Sequence, residues 1–148
     1  MTEKWVLASV CIVWKEKAKK HVALILRPKG YIYNLSGKWF FPGGDVELGE
    51  QPLETAARET KEETGIAVKN LRLIGAHTTH EFWGGKNMSR KVHVALVFYE
   101  GFYSGGKLTP TEESEGVSWV AKKDLKKYLD KKIVKSHVPA EVRKLLSL

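Results

Sequence analysis

The sequence predicts an α/β fold, an α/β/α sandwich built on a mixed β-sheet. Three observations predict it: several apolar segments of strand length, one acidic amphipathic helix in the middle of the chain, and two helical patterns near its end. Strands and helices arranged in this way pack as layers around one core. We expect a single domain over residues 1–148, because a chain of 148 residues is close to the most common domain size.

Strand-like segments lie on both sides of the central helix. They combine β-branched and aromatic residues and are bounded by polar turns, as strands usually are. We predict strands over 5–14, 22–26, 39–41, 68–80, 91–100 and 117–121, and helices over 124–130 and 139–148. The single cysteine, Cys11, lies in the first strand, so we expect a core residue rather than a nucleophile.

The central helix is predicted over 52–64, between two residues that suit its ends. Pro52 fits the first helical turn, and Gly65 fits the position after the last turn, where a positive φ is common. At about 100° per residue, the small and apolar residues form one arc, which we expect to pack on the sheet. This arc contains Leu53, Ala56, Ala57, Thr60 and Thr64.

The same helix carries three glutamates along one edge. Glu62 and Glu63 fall within roughly 60° of Glu59 on the helical wheel, and Glu50 lies just before the helix. Clustered carboxylates repel one another, so we expect a neutralising cation, and hard oxygen ligands favour Mg²⁺ or Mn²⁺. The alternative is a solvated face with Glu–Lys pairs, which is what most glutamate-rich helices have.

The spacing of these residues resembles a known signature. Residues 44–66, GDVELGEQPLETAARETKEETGI, are similar to the Nudix box, G-x5-E-x7-R-E-U-x-E-E-x-G-U, where U is a bulky aliphatic residue. Its charged and glycine positions are filled by Gly44, Glu50, Arg58, Glu59, Glu62, Glu63 and Gly65. Thr60 departs from the pattern, because an aliphatic residue is usual there. The chain thus resembles the Nudix hydrolase family, and the resemblance implies a Nudix-type sandwich.

The resemblance also implies a reaction. Nudix hydrolases use water to split the diphosphate bridge of a nucleoside diphosphate that is linked to another moiety. By this resemblance, Glu59, Glu62 and Glu63 are expected to ligate Mg²⁺ or Mn²⁺, with the Gly44 carbonyl as a further ligand.

Two further roles follow from the resemblance. Arg58 is expected to orient a box carboxylate, that of Glu50, through charge-assisted hydrogen bonds. The general base is left open, because some relatives use a box glutamate, here Glu59, and others use a glutamate from a later loop. The later candidates are Glu112, Glu113 and Glu115. We predict Glu59 as the base and Glu113 as the best later candidate, although a solvated acidic turn would explain these three residues equally well.

Residues outside the box are expected to select the substrate. Trp39, Phe82 and Trp83 could stack on a nucleobase, and Arg27 and Lys38 could reach phosphates. Core packing is the alternative for the aromatic residues, and solvation is the alternative for the charges. The small size of the chain is similar to that of the MutT-type nucleoside-triphosphate hydrolases.

Composition and charge limit the expected partners and location. The longest apolar runs are too short to cross a bilayer, and the first residues lack a signal-peptide pattern, so we expect a cytoplasmic protein without membrane contact. The net charge of +8 favours anionic ligands. We expect a small nucleotide as the partner and no nucleic acid, because the lysine-rich segment 122–132 fits a solvated amphipathic helix. A homodimer is left open.

Two alternatives to a small-nucleotide hydrolase remain at this stage. One is a catalytically silent Nudix domain that senses a nucleotide, and the other is a pyrophosphohydrolase that acts on RNA 5′ ends. The complete box argues against the silent domain, and the basic charge is the support for the RNA enzyme.

Overall fold

The computed structural model describes residues 4–31, 34–82 and 91–148 of the chain. The elements in this part are β1 (Lys4–Trp14), β2 (His21–Leu26), β3 (Trp39–Phe40), β4 (Gly43–Asp45), α1 (Pro52–Thr64), β5 (Ala67–Phe82), β6 (Lys91–Gly105), β7 (Gly116–Ala121), a 3-10 turn (Lys122–Asp124), α2 (Leu125–Tyr128), α3 (Lys131–His137) and α4 (Ala140–Leu146). In the part of the chain that is described, no helix is long and apolar enough to cross a membrane.

The strands form one mixed sheet. Its order is β3–β2–β1–β6–β5, with β4 paired to β1 and β7 paired to β2. The central pair, β1 and β6, is parallel, whereas the other pairs are antiparallel. With α1 on one face and the C-terminal helices on the other, this is the predicted α/β/α sandwich.

Alternation along β1 explains how one strand serves two cores. Even-numbered residues from Ala8 to Trp14 pack with Val142 and Leu146 of α4. Odd-numbered residues pack with Ala56 of α1 and with Ile66. Cys11 belongs to this second set and is fully buried, as predicted, and burial raises the pKa of its thiol to about 12. Because successive side chains of a strand point to opposite faces of the sheet, the sheet lies between two helical layers.

Three short elements were not predicted from the sequence, namely β4, the 3-10 turn and α3, and the helices predicted over 124–130 and 139–148 are both shorter than expected. Strand β4 covers only three residues, two of them glycine, and pairs through Gly44 with Ser9. The helix predicted over 124–130 ends at Tyr128, because Asp130 starts a new helix, α3. The Asp130 carboxylate caps α3 by accepting hydrogen bonds from the amides of Lys132 (2.9 Å) and Ile133 (3.2 Å).

Helix α1 has the predicted bounds, but its buried face differs from the predicted arc. Ala56, Thr60 and Thr64 are buried as expected, whereas Leu53 is 44% exposed and Ala57 is half-buried. The remaining buried residues are Thr55 and Glu63. The prediction for Leu53 was wrong, because the buried stripe is rotated by roughly 60° toward Glu59, which turns Glu63 inward.

The residue after α1 provides a test of the fold. Gly65 has φ +78°, and a Cβ there would lie 2.9 Å from the Lys107 carbonyl oxygen. Gly30 has a similar φ of +86°, but a Cβ there would meet no atom within 4 Å. Gly65→Ala should therefore lower the free energy of unfolding by about 2–3 kcal/mol, and Gly30→Ala by only about 1 kcal/mol, as measured by urea unfolding. Equal losses would show that the contact with Lys107 is unimportant.

Candidate active site

Two glycines let the backbone of β4 approach its neighbours closely. A Cβ on Gly43 would lie 2.5 Å from the Ser9 carbonyl oxygen, and a Cβ on Gly44 would lie 2.5 Å from the carboxyl group of Glu59. The contact at Gly43 is with backbone, so this position needs glycine, whereas a Cβ at Gly44 would push the Glu59 carboxyl group out of its place. The Gly44 backbone, a predicted metal ligand, consequently lies directly against Glu59.

The Glu63 carboxylate is buried and held by Arg27. Both side chains are almost inaccessible, at 2% and 3% exposure. Arg27 Nη1 donates to Glu63 Oε2, Arg27 Nη2 donates to the Gly43 carbonyl (3.0 Å), and the Gly43 amide donates to Glu63 Oε1 (2.8 Å). Burial raises the pKa of Glu63, and the Arg27 charge acts in the opposite direction. The end of β2, β4 and α1 are thus joined by one buried ion pair.

Glu59 lies beside this pair, with 14% of its side chain exposed. It accepts a hydrogen bond of 2.9 Å from Arg58 Nη1. Burial raises its pKa to about 7, and the negative charges of Glu63 and Glu62 add to the shift, while Arg58 opposes it. A carboxyl group with this pKa exists in both protonation states near neutral pH.

Arg58 forms a bidentate ion pair with Glu50. Its Nε and Nη2 atoms donate to Oε2 and Oε1 at 2.6 and 2.9 Å, and the Thr55 hydroxyl donates to Oε1 at 2.6 Å. These hydrogen bonds from Arg58 and Thr55 lower the pKa of Glu50 to about 2. A further bond from Arg58 to the Asp45 carbonyl (3.3 Å) joins the box loop to α1. This is the orientation that the sequence predicted for Arg58 and Glu50.

Three carboxylates come together in the described part of the chain. They belong to Glu59, Glu63 and Glu113, and each offers a ligand oxygen within 4.8 Å of the other two. Glu62 was also predicted as a metal ligand, but it is not part of this cluster. Its side chain is 45% exposed and pairs with Arg58 at 3.1 Å. The oxygen donors and the raised pKa of Glu59 suit a hard divalent cation, which would relieve the repulsion. Glu113 lies on the turn before β7, about fifty residues after the box.

The predicted substrate-binding residues have different surroundings. Arg27 is buried against Glu63 rather than facing solvent. Trp39 is half-buried and packs edge-on against Tyr128, with ring centroids 5.5 Å apart. Lys38 forms an ion pair of 2.9 Å with Asp130. The side chain of Phe82 and the whole of Trp83 lie outside the described residues.

A cavity beside Arg27 brings in residues that sequence reasoning missed. Its volume is about 30 Å³, room for a water molecule or two, and its walls include residues of β1 and His137 of α3. Tyr31, Thr79 and His137 contribute polar groups, and the Tyr31 ring lies 4.5 Å from the Arg27 guanidinium. Tyr31 belongs to an aromatic loop that could have been singled out, whereas Thr79 and His137 carry no sequence signal.

The sandwich fold, the glycine-flanked carboxylate cluster and the Arg58–Glu50 pair define a domain whose acidic helix offers carboxylate oxygens that could hold a divalent cation. A family model described as the NUDIX domain matches residues 5–140. The chain therefore belongs to the NUDIX domain family.

Individual relatives agree with this membership. A MutT-like protein of Streptomyces ambofaciens is 42% identical over 85 residues, covering 57% of this chain and 49% of the relative. An NAD-capped RNA hydrolase of Vibrio vulnificus is 38% identical over 66 residues, covering 45% and 24% of the two chains. A solved MutT structure, from work on the Aliivibrio salmonicida and Vibrio cholerae proteins, superposes with a TM-score of 0.68 at 22% identity, covering 97% of both chains. The chain spans about half or less of the length of these two curated relatives.

Removing Arg27 should lower the free energy of unfolding, because the Glu63 carboxylate would stay buried without its partner. In EDTA, Arg27→Met should lower the free energy of unfolding by about 3–5 kcal/mol, because an unpaired carboxylate is left inside the protein. The double variant Arg27→Met/Glu63→Leu should recover most of this loss, since it removes both charges. Urea unfolding measures both values. A loss below about 1 kcal/mol for the single variant would contradict the buried pair.

Glu59 should make the stability of the metal-free protein depend on pH. Its folded pKa of about 7 lies above its ordinary value of 4.5. The contribution of Glu59 to the free energy of unfolding is therefore fully present below pH 4.5 and is lost as the pH rises through 7. We expect a loss on the order of 1–2 kcal/mol, allowing for the partial exposure of Glu59.

Urea unfolding in EDTA at three pH values between 4.5 and 7 measures this loss. Glu59→Gln should remove most of it, because an amide does not titrate, and the remainder comes from Glu63, whose pKa burial also raises. Glu54→Gln, an exposed change in the first turn of the same helix, should keep the full loss. An undiminished pH dependence in Glu59→Gln would place the titrating group elsewhere.

Proposed function

We propose that this protein is a Mg²⁺- or Mn²⁺-dependent pyrophosphohydrolase. Its substrate is a nucleoside diphosphate linked to another moiety, a small nucleotide such as a nucleoside triphosphate or a nucleoside-diphosphate sugar, and water cleaves the diphosphate bridge. The observation that carries the proposal is the cluster of Glu59, Glu63 and Glu113, whose oxygens lie within 4.8 Å of one another. Membership of the NUDIX family supports the same reaction.

The residues that would hold the metal are Glu59, Glu63 and Glu113, with the Gly44 carbonyl beside them. When bound there, a divalent cation would neutralise the non-bridging phosphate oxygens and would lower the pKa of a water molecule. Arg27 is a positioning residue, because it fixes the Glu63 carboxylate through two of its nitrogens. Arg58 fixes Glu50 and the box loop in the same way.

The proton of the attacking water goes to a carboxylate of this cluster. Glu59 is the first candidate to accept it, because its carboxylate lies within the cluster and is only partly exposed. Glu113 is the second candidate for the base, since it is exposed and lies within the same cluster.

A relative supports a nucleotide as the substrate. One of the similar proteins is named as an NAD-capped RNA hydrolase, and such a substrate contains nucleotides. The cavity beside Arg27 holds only about 30 Å³, so it does not by itself accommodate a nucleobase.

Glu63→Gln should lower kcat/KM at least about hundredfold, or roughly 3 kcal/mol, because one charged ligand of the cluster is lost. The assay is phosphate release from a panel of nucleotides and dinucleotides with Mg²⁺. Glu54→Gln on the same helix is the matched control and should stay within about twofold of the unchanged protein. An unchanged rate in Glu63→Gln would refute the metal-binding cluster.

Two more variants separate the possible ligand sets. The sequence-based set predicts a loss of about hundredfold for Glu62→Gln, whereas the observed cluster predicts this loss for Glu113→Gln. If no compound of the panel is cleaved but one binds tightly, the domain is a nucleotide sensor and the hydrolase proposal fails.

A further inference from the structure

A groove lined by lysines lies away from the candidate active site. We define the lysine groove by Lys19, Lys20, His21, Lys122, Lys123 and Lys126. Its other lining residues are Ala121 and Ser147, and it holds about 1140 Å³ of space, including its opening to solvent. The groove is therefore concave, basic and almost free of apolar side chains.

Pairing of β2 with β7 brings the two lysine-rich segments together. His21 pairs with Ala121 at the end of these strands, and the Lys122 amide donates to the Lys20 carbonyl at 2.8 Å. The β1–β2 turn therefore lies beside a segment that follows it by about one hundred residues. Neither segment alone forms the groove.

These two segments account for the net charge of the whole chain. Residues 15–20 and 122–135 contain eleven lysines and three acidic residues, a net charge of +8 that equals the formal charge of the protein. The remaining residues are balanced. The excess positive charge thus lies in these two segments, and five of their eleven lysines line the groove.

Much of this charge has no internal partner. Lys19 pairs with Glu100 at 3.1 Å, and His21 lies 3.0 Å from Glu16. For Lys20, Lys122, Lys123 and Lys126, the described residues provide no carboxylate within ion-pair distance. Neighbouring ammonium groups repel one another, so an anion in the groove would be stabilised by several of them at once.

The groove is a separate site from the carboxylate cluster. Strand β2 begins at His21 beside the groove and ends at Leu26, next to Arg27 of the candidate active site. Six residues of strand separate the two sites by about 20 Å. A ligand in the groove would not contact Glu59 or Glu63.

We propose that the lysine groove binds the phosphodiester backbone of single-stranded nucleic acid without reading its sequence. Lysine ammonium groups act as point charges for phosphates, and a concave groove admits a single strand more easily than a duplex. The lining has no arginine and no Phe, Tyr or Trp, and His21 is its one ring, so it offers little that could read or stack on bases. It also lacks the large apolar residues that a membrane-binding surface inserts into lipid.

Binding of a fluorescent oligouridylate with a 5′-hydroxyl end tests the proposal. Fluorescence anisotropy in EDTA, over a series of KCl concentrations, gives the Kd and its salt dependence without any hydrolysis. The groove variant is Lys20→Gln/Lys123→Gln/Lys126→Gln. Its matched control, Lys29→Gln/Lys69→Gln/Lys107→Gln, removes the same charge at exposed positions outside the groove.

The groove variant should bind at least about tenfold more weakly at 100 mM KCl, and its slope of log Kd against log salt should fall by about 2. The control should stay within about threefold, because distant charges are screened at this salt concentration. Equal weakening in both variants would refute the groove, as would no binding by the unchanged protein. Tighter binding of a duplex, or binding only to vesicles containing phosphatidylserine, would also refute it and assign a different occupant.

The outcome is independent of the proposed hydrolysis. The groove variant should cleave small nucleotides at the unchanged rate, because its substitutions lie about 20 Å from the cluster. If no nucleotide is cleaved, the anisotropy measurement still tests binding in the lysine groove. If the groove does not bind the oligonucleotide, the cleavage assay still tests the proposed hydrolysis.

Discussion

The buried carboxylate of Glu63 is the constraint on which the site depends. An ionised carboxyl group inside a protein needs an opposite charge and hydrogen-bond donors, or it becomes protonated. Arg27 and the Gly43 amide supply both, and they come from the end of β2 and from β4. Helix α1 can therefore dock with an acid on its buried face only where these two partners already lie. The same requirement explains why its buried stripe is rotated toward Glu59.

The distribution of charge follows from this arrangement. Five carboxylates gather at the site, those of Glu50, Glu59, Glu62, Glu63 and Glu113, against two guanidinium groups. Arg58 is engaged chiefly with Glu50, and Arg27 is engaged with Glu63. The excess is negative, on a protein of net charge +8. The molecule thus has an acidic site near the end of β2 and a basic groove at its beginning, and each attracts ions of the opposite sign.

Regular spacing was visible in the sequence, and long-range pairing was not. The box predicted α1, its end at Gly65 and the contact of Arg58 with Glu50, because these depend on local geometry. Glu113 lies on a turn, where no periodic pattern shows which residues will be close in space. Helix α3 begins at the Asp130 cap, and no change in hydropathy marks that position. Arg27 was predicted to reach phosphates, with solvation as the alternative, because its partner Glu63 lies 36 residues away in the sequence. The lysine-rich segment 122–132 was predicted to be a solvated helix, and its position beside residues 15–20 depends on the pairing of β2 with β7.

Arg27 and a metal ion act on the same carboxylate, and the hydrogen bonds show that they are compatible. A carboxylate offers about four acceptor positions. Glu63 Oε1 receives the Gly43 amide and a longer contact from Arg27 Nη2, and Oε2 receives Arg27 Nη1. One acceptor position on Oε2 receives no hydrogen bond from the described residues. Arg27 aligns the Glu63 carboxylate and opposes the rise in its pKa that burial causes, so Glu63 is positioned before any cation binds, and a cation would reduce the repulsion with Glu59 and Glu113.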